Sequence, residues 1–362
     1  MQKKIIALAI ASAMTVPALA YADATVYGMA RLSVDMVNDG AATTSASTNR
    51  LVSNNSRIGV KGSEDLGGGL SAIWQMEATV ALDAGTDNTT TNTQKTSLFN
   101  RNTFLGLKSN DMGTLVLGLN DAPYKTSTRK LDVFIDTVAA DNRGLAGVAL
   151  MGGGSTGHDA RRANSITYTS PSMSGMSFAA GSVFGAETAT GVTGTQKKGS
   201  ALSLAGMYEQ GPIYATLAYD SLKYGDAGTG DLGGVADAES KAFKLGGSYS
   251  MDQITVNAVI EQDKATVAGT EAKGTNLYLA GKFGISSTDA VKLAYTKRGE
   301  TESAGVKLGN DVSQFAVGYD HAMSKSTTVY ALYTKLTDNG PNGTLTTNAD
   351  PSTLSVGMNH SF

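Results

Sequence analysis

The chain has 362 residues and no cysteine, which excludes disulfide frameworks, thiol nucleophiles and cysteine-ligated metals. Charged residues are 17% of the chain, against about 25% in an ordinary globular protein, while glycine reaches 43 residues and proline only 6. A formal net charge of −3 gives no cationic surface of the kind nucleic acid requires, and three histidines, His158, His321 and His360, leave little for acid–base or zinc chemistry.

Residues 1–22, MQKKIIALAIASAMTVPALAYA, carry Lys3 and Lys4 ahead of an apolar stretch from Ile5 to Met14, then Pro17 and the small residues Ala20 and Ala22. This is the charged, apolar and cleavage-site order of a secretory signal peptide, and the apolar run is shorter than the roughly 20 residues of a spanning helix. Cleavage after Ala22 would remove both lysines and leave a mildly acidic exported chain. The predicted mature unit is one domain, residues 23–362.

Alternation begins at once. From Thr25 to Met36 the even positions are Val26, Gly28, Ala30, Leu32, Val34 and Met36, and the odd ones include Thr25, Arg31, Ser33 and Asp35. One apolar and one polar face is the period-2 pattern of a strand. The last residues repeat it, with Leu354, Val356, Met358, His360 and Phe362 against Ser355, Gly357, Asn359 and Ser361. Between these ends the pattern predicts strands near 54–62, 69–80, 100–109, 113–120, 163–170, 175–183, 200–209, 211–223, 240–250, 253–263, 273–283, 288–298, 311–321 and 325–336, sixteen with the two terminal ones. The connections sort by length. Those at 63–69, 109–113, 170–175, 209–212 and 322–326 are short, and those at 37–53, 81–99, 121–162, 184–199, 224–239, 264–272, 299–310 and 337–352 are mostly much longer. Short turns at one rim and long loops at the other predict an all-β fold, a 16-stranded antiparallel transmembrane β-barrel of the outer-membrane type.

The composition agrees for a physical reason. In lipid every backbone N–H and C=O must be paired within the protein, so a sheet spans only if it closes. Lipid then takes one face of each strand and water the other, which is why the mean hydropathy of −0.11 resembles that of a soluble protein. Proline is scarce because a closed barrel has no edge strand where a missing N–H is harmless. Trp74 shares its face with Leu70, Ala72 and Met76, opposite Ser71, Gln75 and Glu77, and tyrosines near strand ends with Phe362 are candidates for interfacial girdles.

The stretch SRIGVKGSEDLGGGLSAIWQMEATV, Ser56 to Val80, closely resembles the segment joining the second and third strands of the general diffusion porins of the neisserial and Burkholderia-type, betaproteobacterial, family. Two further segments are similar: RNTFLGLKSNDMGTLVLGLNDAPY, Arg101 to Tyr124, and RRANSITYTSPSMSG, Arg161 to Gly175. With DATVYGMARLSVDMV after the leader and the terminal phenylalanine, the resemblance covers essentially the whole mature chain. It implies a homotrimer of water-filled barrels in the outer membrane of a Gram-negative bacterium, passing ions and small hydrophilic solutes. It also implies a third long loop folded into the lumen. The terminal Phe362 looks like the signal read by the outer-membrane barrel assembly machinery, and outer-membrane lipid and lipopolysaccharide are the surroundings such a barrel meets.

The longest connection, 121–162, holds Leu131, Val133, Phe134, Ile135, Val138 and Leu145 near its centre, residues better placed against an inner wall than in water. It is the expected constriction loop, with a surface loop over a subunit interface as the alternative. On the wall, strand parity puts Arg57 and Lys61 opposite Ile58 and Val60, and sets Arg31 on the polar face of the first strand. By the resemblance, Arg57, Arg101 and one of Arg161 or Arg162 match constriction arginines of anion-preferring members, and Asp132, Asp136 and Asp141 supply an opposing acidic side. Arg101 shares its parity with Leu105, so its inward placement needs a bend or rests on the resemblance. A narrow passage bounded by low-dielectric protein weakens screening, so a few oriented charges set ion entry. The reading is a passive channel with weak anion preference that needs no catalytic residue, metal or cofactor. A solute-specific channel, a plugged structural or adhesive barrel and an outer-membrane enzyme stand as alternatives, the last without a serine–histidine–acid spacing or a phosphate cradle to support it.

Overall fold

The computed structural model describes residues 23–40, 46–83, 98–139, 157–184, 199–225, 238–308, 311–338 and 350–362. The leader 1–22 and Asp141 lie outside them. The strands are β1 (Asp23–Asn38), β2 (Ser47–Ser53), β3 (Arg57–Gly67), β4 (Leu70–Thr79), β5 (Thr103–Ser109), β6 (Gly113–Asp121), β7 (Arg161–Thr169), β8 (Met176–Val183), β9 (Ser200–Gln210), β10 (Ile213–Lys223), β11 (Glu239–Met251), β12 (Ile254–Val267), β13 (Thr270–Gly284), β14 (Asp289–Arg298), β15 (Glu302–Ser303), β16 (Val306–Lys307), β17 (Val312–Ala322), β18 (Thr327–Asp338) and β19 (Ser352–Ser361).

Each strand pairs antiparallel with its neighbour, and β1 pairs with β19 on one side and with β2 and β3 on the other, which closes the sheet. β2 and β3 are two pieces of one staircase: opposite β1, Leu32 faces Ser53 but Met29 faces Arg57, a one-residue slip taken up at Asn55, whose φ is 60°. β15 and β16 form a small hairpin beside β13. Counting β2 with β3 and setting that hairpin aside leaves sixteen barrel strands.

The two faces differ as the alternation requires. Val26, Leu217, Leu105 and Val256 are more than half exposed, while their lumen-parity neighbours include the buried Arg31, Asp35, Thr216, Ala218, Asn257 and Val259. Exposed aromatics fall in two bands on the apolar face. Phe178, Tyr249, Phe283, Tyr319 and Phe362 lie toward the short-turn rim, and Phe184, Phe243, Tyr295, Phe315 and Tyr333 toward the other, the girdle arrangement that anchors a barrel at two interfaces.

One expected loop is absent. Residues 264–272 are not a long connection: β12 and β13 run on to Val267 and Thr270 and are joined by Ala268 and Gly269, with φ of 49° and 81°. Two successive positive φ values make a tight hairpin turn whose twist matches the strands. The pair Ala304 and Gly305, with φ of 49° and 80°, does the same between β15 and β16.

Candidate functional site

The site is built first from strand parity on the β1–β5 side. β1 turns Arg31 inward, β3 turns Arg57 and Lys61 inward, and β4 turns Glu77 inward. Arg101 joins them through a register slip. Along β4 and β5, Gln75 faces Phe104, but the Arg101 N–H donates to the Glu77 carbonyl at 3.0 Å, so one residue has been inserted ahead of Thr103. That extra residue moves Arg101 from the face of Leu105 to the face of Glu77.

The side chains then form a continuous chain of charge. Arg101 Nε donates to Glu77 Oε1 at 2.6 Å and its Nη1 donates to Asn55 Oδ1 at 3.0 Å. Arg57 lies 3.8 Å from Glu77 Oε2 and 3.9 Å from Asp136 Oδ2, and the Tyr27 hydroxyl donates to Glu77 Oε2 at 3.0 Å. Asp136 also accepts from Arg31 Nη1, from Asn55 Nδ2 at 2.9 Å and from Arg129 Nη2 at 2.9 and 3.0 Å. Among the described residues, four guanidinium groups share these two carboxylates. Arg57 and Arg129 keep 15% and 23% of their side-chain surface open to water. Lys61 sits 5.0 Å over the Tyr27 ring, exposed and one side chain removed from the chain of charge.

The paired arginines after the long connection part company. Arg161 donates from Nε to Asn102 Oδ1 at 2.7 Å and lies 3.3 Å from Asp121, which Lys125 contacts at 2.7 Å. Burial pushes the Lys125 ammonium below its ordinary pKa, with Asp121 opposing the shift. Arg162 is 3% exposed, donates to the Gly157 carbonyl at 3.0 Å and lies 3.7 Å from Asp220. A register slip between Gly118 and Asn120, with φ of 52° at Asn164, accompanies this divergence.

The described start of the connection, 122–139, lies against the inward-parity residues of β9–β14, β17 and β18. Helix α1 (Pro123–Thr128) opens with proline in its first turn, where no N–H is missed, and a 3-10 turn, Arg129–Leu131, follows. Leu131 and Phe134 are at most 1% exposed and pack with Tyr214, Val259, Tyr278 and Ala316, burial that contributes about 1.5–3 kcal/mol per side chain. The wall makes room with glycines: a Cβ on Gly246 would come within 2.8 Å of Leu131 and one on Gly318 within 2.6 Å of the Phe134 ring. Polar contacts fix the rest. Tyr124 N–H donates to Ser203 Oγ at 3.0 Å, the Tyr278 hydroxyl accepts from Val133 N–H at 3.1 Å, and Gln314 donates to the Val138 carbonyl at 3.2 Å. Asp132 Oδ1 accepts from Phe134 N–H at 2.9 Å and from the Tyr278 hydroxyl at 3.4 Å.

Behind α1 lies a second charged group. Lys244, fully buried, reaches Asp159 at 2.5 Å and Glu261 at 3.4 Å. Glu261 accepts from the Tyr124 hydroxyl at 2.7 Å and from Asn276, which also donates to Asp263. His158 bridges Asp220 and Ser240, both at 2.8 Å. Burial, with Glu261 and Asp159 close by, holds the Tyr124 hydroxyl well above the ordinary tyrosine pKa, so it remains a donor. The sequence reading selected neither this group nor Arg129. Its signal was there: Asp220, Lys244, Glu261 and Asp263 each interrupt the small or apolar inward face of a strand.

The family described as Gram-negative porin matches residues 7–341. An outer membrane porin protein of Bordetella pertussis is 28% identical over 344 residues, covering 86% of this chain and 83% of that protein. Major outer membrane protein P.IB of Neisseria lactamica is 27% identical over 376 residues and covers 100% of both. Among solved structures, the anion-selective porin from Comamonas acidovorans superposes with a TM-score of 0.76 at 23% identity, over 94% of this chain and 100% of that one. The trimer form of OmpT from Vibrio cholerae superposes with a TM-score of 0.66 at 16% identity, over 94% and 99%.

Proposed function

This chain belongs to the Gram-negative porin family, a diffusion channel of the outer membrane, and from that premise we propose that connection 121–162 narrows its lumen and that the arginines opposite give it a weak preference for anions. The observation that carries this reading is the sharing of Glu77 and Asp136 among Arg31, Arg57, Arg101 and Arg129, which leaves positive charge beside the passage. In a narrow water path each such charge attracts an anion and repels a cation with little reorganisation. Arg161 and Lys61 extend the same wall toward its two rims. Enclosure of Arg162 beside Asp220 and His158 assigns it to holding the connection rather than to meeting solutes.

Charge balance supports this sign against the net acidity of the whole chain, since exposed charges beyond a Debye length of about 10 Å at 0.1 M salt are screened. No catalytic step is needed. The working unit is a homotrimer by this reading, as in the trimer form of OmpT from Vibrio cholerae, with outer-membrane lipid and lipopolysaccharide around it and the assembly machinery reading the Phe362 end. Purified protein added to a planar bilayer should give stepwise increases in current, and Arg57→Gln with Arg101→Gln should leave the steps but shift selectivity toward cations. Absence of steps would favour a plugged barrel. Saturation of the current by one solute would favour a specific channel.

A further inference from the structure

We propose that the outer face of β11–β13, at the long-loop rim, seats one phosphorylated glycolipid of the outer leaflet, with Lys241, Lys264 and Lys273 holding a phosphate and an apolar cleft below them holding an acyl chain. The inference rests on the outer-membrane reading above and gives residues to the lipid contact proposed there. Its first support is register. Lys241 pairs directly with Lys264, and Lys264 with Lys273, and strand parity turns all three outward, where each is about half exposed. Like charges directly opposite one another destabilise a sheet, so the row is a cost to folding that an anion in front of it removes. Each lysine also has a carboxylate, Glu239 at 3.4 Å, Glu271 at 2.5 Å and Glu302 at 3.1 Å. Exposed pairs of this kind are weak, and Glu239 and Glu271 stand one outward row nearer the rim. Positive charge thus lies next to the hydrocarbon band, with negative charge beyond it.

The second support is the order of the rows beneath. One step toward the membrane, two residues or about 7 Å along each strand, the outward residues are Phe243, Gln262 and Thr275; Leu245, Ile260 and Leu277 follow, and then Gly247, Ala258 and Leu279. Phe243 belongs to the aromatic band of the long-loop rim, so the lysines stand at the height of headgroups rather than of acyl chains. A half-open cleft of about 840 Å³ is lined by the three lysines, Phe243, Gln262 and Thr275. Lys297 and Lys307, 3.3 Å from Asp311 and 3.1 Å from Glu300, complete its edge. The cleft exceeds a lone phosphate and offers Gln262 and Thr275 to hydroxyl groups, which favours a sugar phosphate over a simple phospholipid headgroup. Below it an open apolar cleft of about 750 Å³ has the small residues Gly247, Ala258 and Gly281 set among Tyr249, Leu279 and Leu293. A charged cleft above an apolar one on the same strands is the order of a lipid, headgroup toward the rim and chain toward the bilayer centre.

The test titrates lipid-free protein in detergent with diphosphoryl lipid A, its dephosphorylated form and phosphatidylethanolamine, counting bound lipid by native mass spectrometry. One diphosphoryl lipid A per chain should bind, at least about tenfold tighter than the other two. Lys241→Gln, Lys264→Gln and Lys273→Gln together should weaken it about 10- to 100-fold, the loss of three charge contacts at an interface, and erase the advantage of the phosphorylated form. Arginine at all three positions should keep that advantage. Ala258→Phe, which fills the chain cleft, should weaken the phosphorylated and dephosphorylated forms alike. If the glutamine variant fails to fold, acetylation of the unaltered protein decides: diphosphoryl lipid A should shield these three lysines, and no shielding overturns the site. Unchanged affinity in the glutamine variant, or equal affinity for phosphatidylethanolamine, also overturns it. So does binding that chelation of divalent cations abolishes and the glutamine changes spare, which moves the anchor to Glu239 and Glu271. Lysines already shielded in the lipid-free protein would make this face a contact between copies and overturn the lipid seat. Bilayer current from the same preparation tests the channel reading separately.

Discussion

On the β1–β5 side of the interior, four guanidinium groups share Glu77 and Asp136, whereas behind α1 two cations, Arg162 and Lys244, stand with His158 among Asp159, Asp220, Glu261 and Asp263. The first group keeps part of its surface in water, and the second is sealed under the connection. Burial favours pairing, because an unpaired charge in low dielectric costs several kcal/mol, and in the second group Tyr124 and Asn276 donate to Glu261 while His158 bridges Asp220 and Ser240. Water contact relaxes that demand. Uncompensated positive charge is tolerated where solvent reaches it, so by the reading proposed above the β1–β5 wall is the one that meets solutes, while the group behind α1 is built to be covered.

The largest test of this division removes a cation from each wall. Lys244→Met leaves Asp159 and Glu261 without their buried partner and should cost about 3–5 kcal/mol, read as a lower urea midpoint for barrel unfolding. Arg57→Gln, whose two ion pairs are 3.8 and 3.9 Å long, should cost about 1 kcal/mol or less. Equal losses would erase the distinction. Next, Gly318→Val drives a side chain into the Phe134 ring and should cost about 1–3 kcal/mol, with faster proteolysis within 121–162 and noisier open-channel current.

For permeation the order reverses. A charge about 4 Å from an ion in water is worth about 1 kcal/mol, or about fivefold, so Arg57→Gln should lower the anion-to-cation ratio by about that factor while Lys244→Met leaves its sign alone. Lys61→Gln, exposed over Tyr27, should change the ratio less than about twofold. Both effects should shrink as salt rises from 0.1 to 1 M, because the Debye length falls from about 10 to about 3 Å.

Much of this was legible in the sequence because a closed sheet in lipid leaves each strand residue only two choices, inside or out. Arg31, Arg57 and Lys61 followed from parity alone. Arg101 did not, since its face depends on one inserted residue before Thr103, and a bulge leaves no mark in the alternation. The turn at Ala268 and Gly269 was missed because alanine rarely takes positive φ, so the pair reads as strand or loop rather than hairpin. The apolar centre of 121–162 announced that Leu131 and Phe134 would be covered, but not that Arg129 and Asp136, seven residues apart, would meet on the far wall. The group around Lys244 was visible as charges on inward positions of β10–β12, yet their pairing depends on which residues of the connection cover them.

The central claim is that the uncovered wall, not the net charge of the chain, sets the sign of selectivity. It is tested most directly by the zero-current potential of the purified, detergent-extracted protein in a planar bilayer under a salt gradient. An anion-selective potential that collapses toward zero in Arg57→Gln is the predicted result; a cation-selective potential left unchanged by that substitution would contradict it.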